Sequence, residues 1–201
     1  MMPKWTRGEL WRVAATIPVL ALLAACGDEN PFDTQPPDVT SGDSQVWELA
    51  LPAFPSGWDF RTAQRLFIGA TDIPGVVGTW VLDERADGTL VFVPFSVVAP
   101  GLSLVRTGIA DLGSVPFESV EEVPGDGYSA TSDSSGVAVI EGHVYAFRIL
   151  IQGLAGSPIN YAKVEVIAVG QELPDDPRSR FVRFRWAYQV QPLNQRVVDE
   201  Q

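Results

Sequence analysis

The sequence predicts an all-β protein: an antiparallel two-sheet sandwich in a single domain, preceded by a signal segment and a polar tether. Three observations carry that expectation. Short apolar runs alternate with polar residues at period two, as strands with one buried face do. Clusters of Gly, Pro and Asp break those runs at short intervals and leave little room for helices. There is no heptad pattern and no internal repeat to suggest another architecture.

The elements follow in chain order. "VWELAL" (46–51) places Trp47, Leu49 and Leu51 on one face and Glu48 on the other. "DFRTAQRLFIGA" (59–70) reads equally as a short helix or as a strand. "TWVLDERADGTLVFVPF" (79–95) predicts a hairpin with arms at 79–83 and 89–95, because Asp87-Gly88 tolerates positive φ. "GVAVIEGHVYAFRILI" (136–151) holds two apolar runs broken at Glu141-Gly142. "INYAKVEVIAV" (159–169) sets Ala162, Val164 and Val166 against Lys163 and Glu165. In "FVRFRWAYQV" (181–190), Val182, Phe184, Trp186 and Tyr188 share one face, with Arg183 and Arg185 on the other.

These elements bound a domain at 45–195, with a tail at 196–201. Residues 26–44 precede it. The stretch "GDENPFDTQPPDVTSGDS" (27–44) is rich in Pro, Asp, Ser and Thr and reads as a disordered tether. Fully extended, it would reach about 60 Å.

The N-terminus has another purpose. Lys4, Arg7 and Arg12 precede an apolar run from Val13 to Ala25. That run falls short of the roughly 20 residues a membrane-spanning helix needs, and describes a secretory signal at residues 1–25. Leu23-Ala24-Ala25-Cys26 resembles the lipobox of bacterial lipoproteins. The resemblance implies cleavage between Ala25 and Cys26, a diacylglyceryl thioether on Cys26, and anchoring through acyl chains. Cys26 is the one cysteine of the chain, so the fold must stand without disulfides. Gly27 is not the Asp that commonly retains lipoproteins at the inner membrane, which favours the outer membrane.

Without its first 25 residues the chain carries 11 basic and 24 acidic residues, a net charge of −13. Such a chain repels nucleic acid. It holds a single histidine, His143, and no methionine beyond residues 1 and 2. A zinc site of His and Cys cannot be assembled within one chain. A Ser-His-Asp triad has only His143 to use and no G-x-S-x-G elbow beside it. Glu121-Glu122 and Asp175-Asp176 are adjacent, and neighbours on a strand face opposite ways, so neither is a natural acid–base pair. Asp126 and Asp133 in "PGDGYSATSDSSG" lack the spacing of an EF-hand loop. No catalytic residue is assigned, and the chain is read as a non-enzyme.

"FESVEEVPGDGYSATSDSSGVAVIEGHVYAFRI", "INYAKVEVIAV" and "FVRFRWAYQ" resemble, in order, stretches of the HmuY family of haem-binding envelope lipoproteins. The matching residues are Phe117 and Val120, then Gly142, Val144 and Tyr145, then Tyr161-Ala162-Lys163, and finally Phe184, Trp186, Tyr188 and Gln189. "GWDF" (57–60) is similar to a W-D stretch near the family's first strands. The resemblance implies an all-β fold and a haem held between two His or Met side chains. This chain departs from that ligand set, since it offers His143 alone, at the variable position of "GHVY". If haem binds, His143 is the candidate iron ligand, and no other metal is expected. Arg183 and Arg185 are the candidate partners of the propionates, with Arg148 and Lys163 on neighbouring motifs. Tyr145 and Tyr161 are candidates to cover the porphyrin.

Two functions remain open at this point. One is capture of haem or a related small ligand. The other is an envelope binding or structural module of the same fold without a haem site, for a protein, a glycan or another small molecule. A carboxylate hydrolase is a weaker third. The anchor is directly testable. Cys26→Ser should leave an unprocessed precursor without incorporated fatty acid, whereas normal cleavage of that variant would contradict the lipobox assignment.

Overall fold

The computed structural model describes residues 39–68, 78–101, 103–153 and 156–198, all within one compact unit. The expected signal segment, Cys26, residues 27–38 and residues 199–201 lie outside the described residues.

Among the described residues ten strands form two antiparallel sheets of five. They are β1 (Val39–Trp47), β2 (Gly57–Asp59), β3 (Gln64–Leu66), β4 (Trp80–Glu84), β5 (Leu90–Pro94), β6 (Val105–Gly113), β7 (Val137–Ala138), β8 (Val144–Ile151), β9 (Ile159–Gln171) and β10 (Arg180–Gln189). The long sheet has the order β1-β10-β9-β8-β6, and the short sheet β3-β2-β4-β5-β7. A single helical turn, α1 (Phe95–Val98), follows β5. The expected all-β sandwich is the fold observed.

Aromatic side chains fill the space between the sheets. Trp80 packs edge-on against Phe92 and Phe184, with centroids at 4.7 and 5.2 Å. Trp58 meets Phe184 at 5.4 Å, and Phe60 meets Phe147 at 5.3 Å. Such pairs contribute about 0.5–1.5 kcal/mol each beyond their area. The β10 face read from sequence is the one that enters this core: Val182, Phe184, Trp186 and Tyr188 are all buried in it. The predicted hairpin is β4–β5, with Gly88 at φ 86° in its turn.

Four expectations need correction. The tether does not extend to residue 44: β1 begins at Val39 and pairs with β10 from Val39↔Gln189 to Trp47↔Phe181. Its polar residues are held by the backbone ladder at a sheet edge, which composition does not register. The strand expected over 46–51 stops at Trp47, where the chain turns. Glu48 is buried there and accepts a hydrogen bond from the Ala50 N–H at 2.9 Å. The ambiguous segment is neither one helix nor one strand; β2 and β3 form a hairpin closed by Asp59, which accepts from Arg61 and the Thr62 hydroxyl. The tail at 196–201 is not wholly free: Val197 is fully buried and its N–H donates to the Glu121 carbonyl at 2.8 Å.

The outer face of the long sheet is covered too. Val120 and Val123 pack with Val144, Ala146, Tyr161 and Val197 in a second apolar cluster. Gly108 is needed for this contact, because a Cβ there would stand 2.8 Å from the Tyr128 Cβ. Lys163, expected on an outward face, is buried under the same cover. Its Nζ donates to the carbonyls of Phe117 at 2.9 Å and Val120 at 2.7 Å, and lies 4.2 Å from the Phe117 ring centroid. Burial pushes the Lys163 ammonium down to about 8 from 10.5, with Glu118 opposing the shift.

Two outcomes follow for stability. A chain beginning at Ser44 loses more than half of β1 and should be less stable than one beginning at Pro37 by roughly 3 kcal/mol, or about 10 °C in Tm. Equal melting of the two would contradict the strand assignment. For Lys163, the unfolded chain binds more protons than the folded one between pH 8 and 10.5, so this group's contribution to stability rises with pH in that window. Denaturant unfolding should therefore show the parent gaining stability over Lys163→Gln from pH 7.5 to 10. A constant difference would show the ammonium to be as well solvated folded as unfolded.

Candidate functional site

β1 and β3 are edge strands of their two sheets, and the chain folds a groove along them. After β1 the segment 48–55 turns back on itself. The Trp47 N–H donates to the Pro55 carbonyl at 2.9 Å. This return lays Phe54 on Trp47, with ring centroids 4.9 Å apart and planes 27° from parallel. Beyond β3, Phe67 remains half exposed. Trp47, Phe54, Pro55, Arg65 and Phe67 line a cavity of about 520 Å³. Arg65 also lines an adjoining depression of about 350 Å³ with Asp43, Ser44, Gln45 and Arg183. The groove thus has an aromatic half and a half carrying two arginines, joined at Arg65.

The residues nominated from sequence are not assembled in one place. His143 stands just before β8, and its Nδ1 lies 3.0 Å from the Asp111 carboxylate. Its ring is 6.4 Å from that of Tyr145, on the inward side of the sheet. Arg185 points to the opposite side. It is held by Glu165 and by Glu118, the latter at 2.6 Å, and stacks over Phe117 at 4.3 Å. Arg183 is exposed and faces the groove. Three strand spacings, about 14 Å, separate β8 from β1, so His143 lies outside the groove.

Tyr145 is fully buried, donates to the Ala138 carbonyl and accepts from the Ile140 N–H, both at 2.8 Å. Tyr161 is buried under the outer cover. Neither is free to lie on a porphyrin. Arg148 has its Nε buried on the outer face of β8. His143, Arg183 and Arg185 therefore do not fit a haem held through its iron and both propionates at once.

A cleft of about 630 Å³ lies beside Lys163 on the outer face. Two of its charged groups are already engaged, Lys163 with two carbonyls and Glu118 with Arg185. Of the acidic pairs, Asp176 is bound to Arg178 at 2.9 Å, and Glu121 and Glu122 are exposed on the covering segment. Asp133 turns onto the Ser135 hydroxyl at 2.6 Å. Among the described residues no three His, Cys, Asp or Glu side chains are grouped to hold a metal ion.

Arg65, Phe54 and Phe67 were not singled out from sequence. The i, i+2 spacing of Arg65 and Phe67 is the signal that places both on one side of β3, but it gains meaning only when β1 is known to lie alongside. No protein-family model matches the chain, and no curated protein and no solved structure matches it at a significant level. The likeness to the HmuY family rests on the short motifs quoted above.

Proposed function

We propose that this chain is a non-catalytic binding module of the bacterial envelope, carried on a lipid at Cys26, that receives a small flat apolar ligand in the groove between the edges of β1 and β3. The observation that carries this reading is the half-exposed Phe67 beside the stacked Trp47 and Phe54 at a cavity of about 520 Å³. A large aromatic side chain left open beside two others is the usual make-up of a small-molecule site. The wholly buried aromatics of the core have no such access. The composition supports a binding role as well, since a chain with one histidine and a cysteine reserved for lipid has few groups for imidazole- or thiol-based catalysis.

A porphyrin is one ligand of this kind, and a second reading keeps haem bound through its iron. The observation favouring that reading is the contact between His143 Nδ1 and Asp111, since a carboxylate on one ring nitrogen orients the other toward a metal. The two readings separate in one titration. Haemin and metal-free protoporphyrin IX should quench the tryptophan emission of the mature chain with similar affinity. Phe67→Ala should weaken both about tenfold, roughly the value of one aromatic contact, and His143→Ala should change neither. Binding of haemin alone, lost in His143→Ala and indifferent to Phe67→Ala, would replace the groove by the histidine.

A further inference from the structure

Four of the ten arginines among the described residues are matched with carboxylates, and Arg85 and Arg106 donate to backbone carbonyls. Arg61 pairs with Asp59, Arg178 with Asp176, Arg180 with Glu84, and Arg185 with Glu118 and Glu165. Arg65 and Arg183 form no ion pair among the described residues, although the chain has 25 acidic residues against 14 basic ones. Both line the same depression.

They reach it from different sheets. Arg65 is the register partner of the buried Trp58, so it points to the side of the short sheet that faces the long one. Arg183 stands on the outward face of β10, opposite Gln45 of β1. The two side chains flank the open edge of β1 at Ser44. That edge adds backbone donors. The Glu48 N–H is directed to β10, bonding the Arg180 carbonyl at 2.8 Å, and the Trp47 N–H is directed away from it. By strand alternation the N–H groups of Gln45 and Asp43 also point away from β10, toward the depression. Two guanidinium groups and outward N–H groups are the donors that hold an oxyanion. The Asp43 carboxylate lines the same depression and opposes excess negative charge. One negative charge is accommodated there more readily than two.

We propose that Arg65 and Arg183 form a carboxylate subsite, so that the groove takes an aromatic or other flat apolar acid. The apolar body lies on Phe54 and Phe67, and the carboxylate lies at the β1 edge between the arginines. This rests on the groove being the ligand site, and it adds the chemical class of the ligand.

The test compares three probes on the mature chain: 2-naphthoate, neutral 2-naphthamide and 2-naphthyl phosphate, followed by tryptophan emission. At low salt 2-naphthoate should bind about tenfold more tightly than the amide, and 0.5 M NaCl should narrow that gap because both arginines are exposed. Arg65→Gln and Arg183→Gln should each narrow it, and the double variant should close it while leaving the amide unchanged. The phosphate should bind no better than the carboxylate. Equal binding of acid and amide would overturn the subsite and leave the groove standing. Failure of all three probes to bind would overturn both. Tightest binding by the phosphate, lost in the double variant, would overturn the carboxylate assignment in favour of a doubly charged ligand.

Discussion

The aromatic layer between the sheets is the constraint on which the rest of the molecule depends. Trp58, Trp80, Phe92, Phe147 and Phe184 interlock edge to face across the sandwich. With no disulfide available, this layer and the strand ladders hold the two sheets in register. Its side chains come from β2, β4 and β5 on one side and β8 and β10 on the other. The sheets are therefore clamped at their centres, and the edge strands β1 and β3 are left to meet solvent. The groove is a consequence of where the clamp ends.

The long sheet is asymmetric in its cover. The segment around 115–129 and the residues near Val197 lie over β8 and β9, and Lys163 fastens the first of them through the carbonyls of Phe117 and Val120. A buried ammonium costs desolvation, which shows in its lowered pKa, but it satisfies two carbonyls that would otherwise lose water without a partner. Arg185 supports the same cover by pairing with Glu118 and stacking on Phe117. Two of the four cations read from sequence as ligand-binding are thus occupied in holding the fold. Arg183 lies nearer the β1 edge and has no such partner among the described residues.

What could be read from sequence followed the strength of the local signal. β10 was legible because four inward residues alternate with two arginines over a long strand. The β4–β5 hairpin was legible because Asp87-Gly88 marks its turn. β6 was not, since Thr107 and Gly108 interrupt its apolar residues. Thr107 is buried because its hydroxyl donates to the Thr79 carbonyl at 2.8 Å, a partner far away in sequence. The start of β1 was hidden for a related reason: "VTSGDS" has almost nothing apolar to bury and is ordered by its ladder with β10. The same limit applies to the site. That Arg183 and Arg185 point outward follows from alternation, but which of them finds a carboxylate depends on the β9 register, which sets Glu165 beside Arg185 and Ala168 beside Arg183, and on Glu118, 67 residues from Arg185 in the chain. Arg65 and Arg183 meet only because two sheet edges lie side by side.

In the proposed function, ligand is received at the open edge of β1. The most direct measurement is the set of backbone amide chemical shifts of the chain without residues 1–25 during titration with 2-naphthoate. The amides of Asp43 and Gln45 should shift most, together with those of Arg65 and Phe67. The largest shifts at Asp111 and His143, or at Glu118 and Lys163, would contradict it.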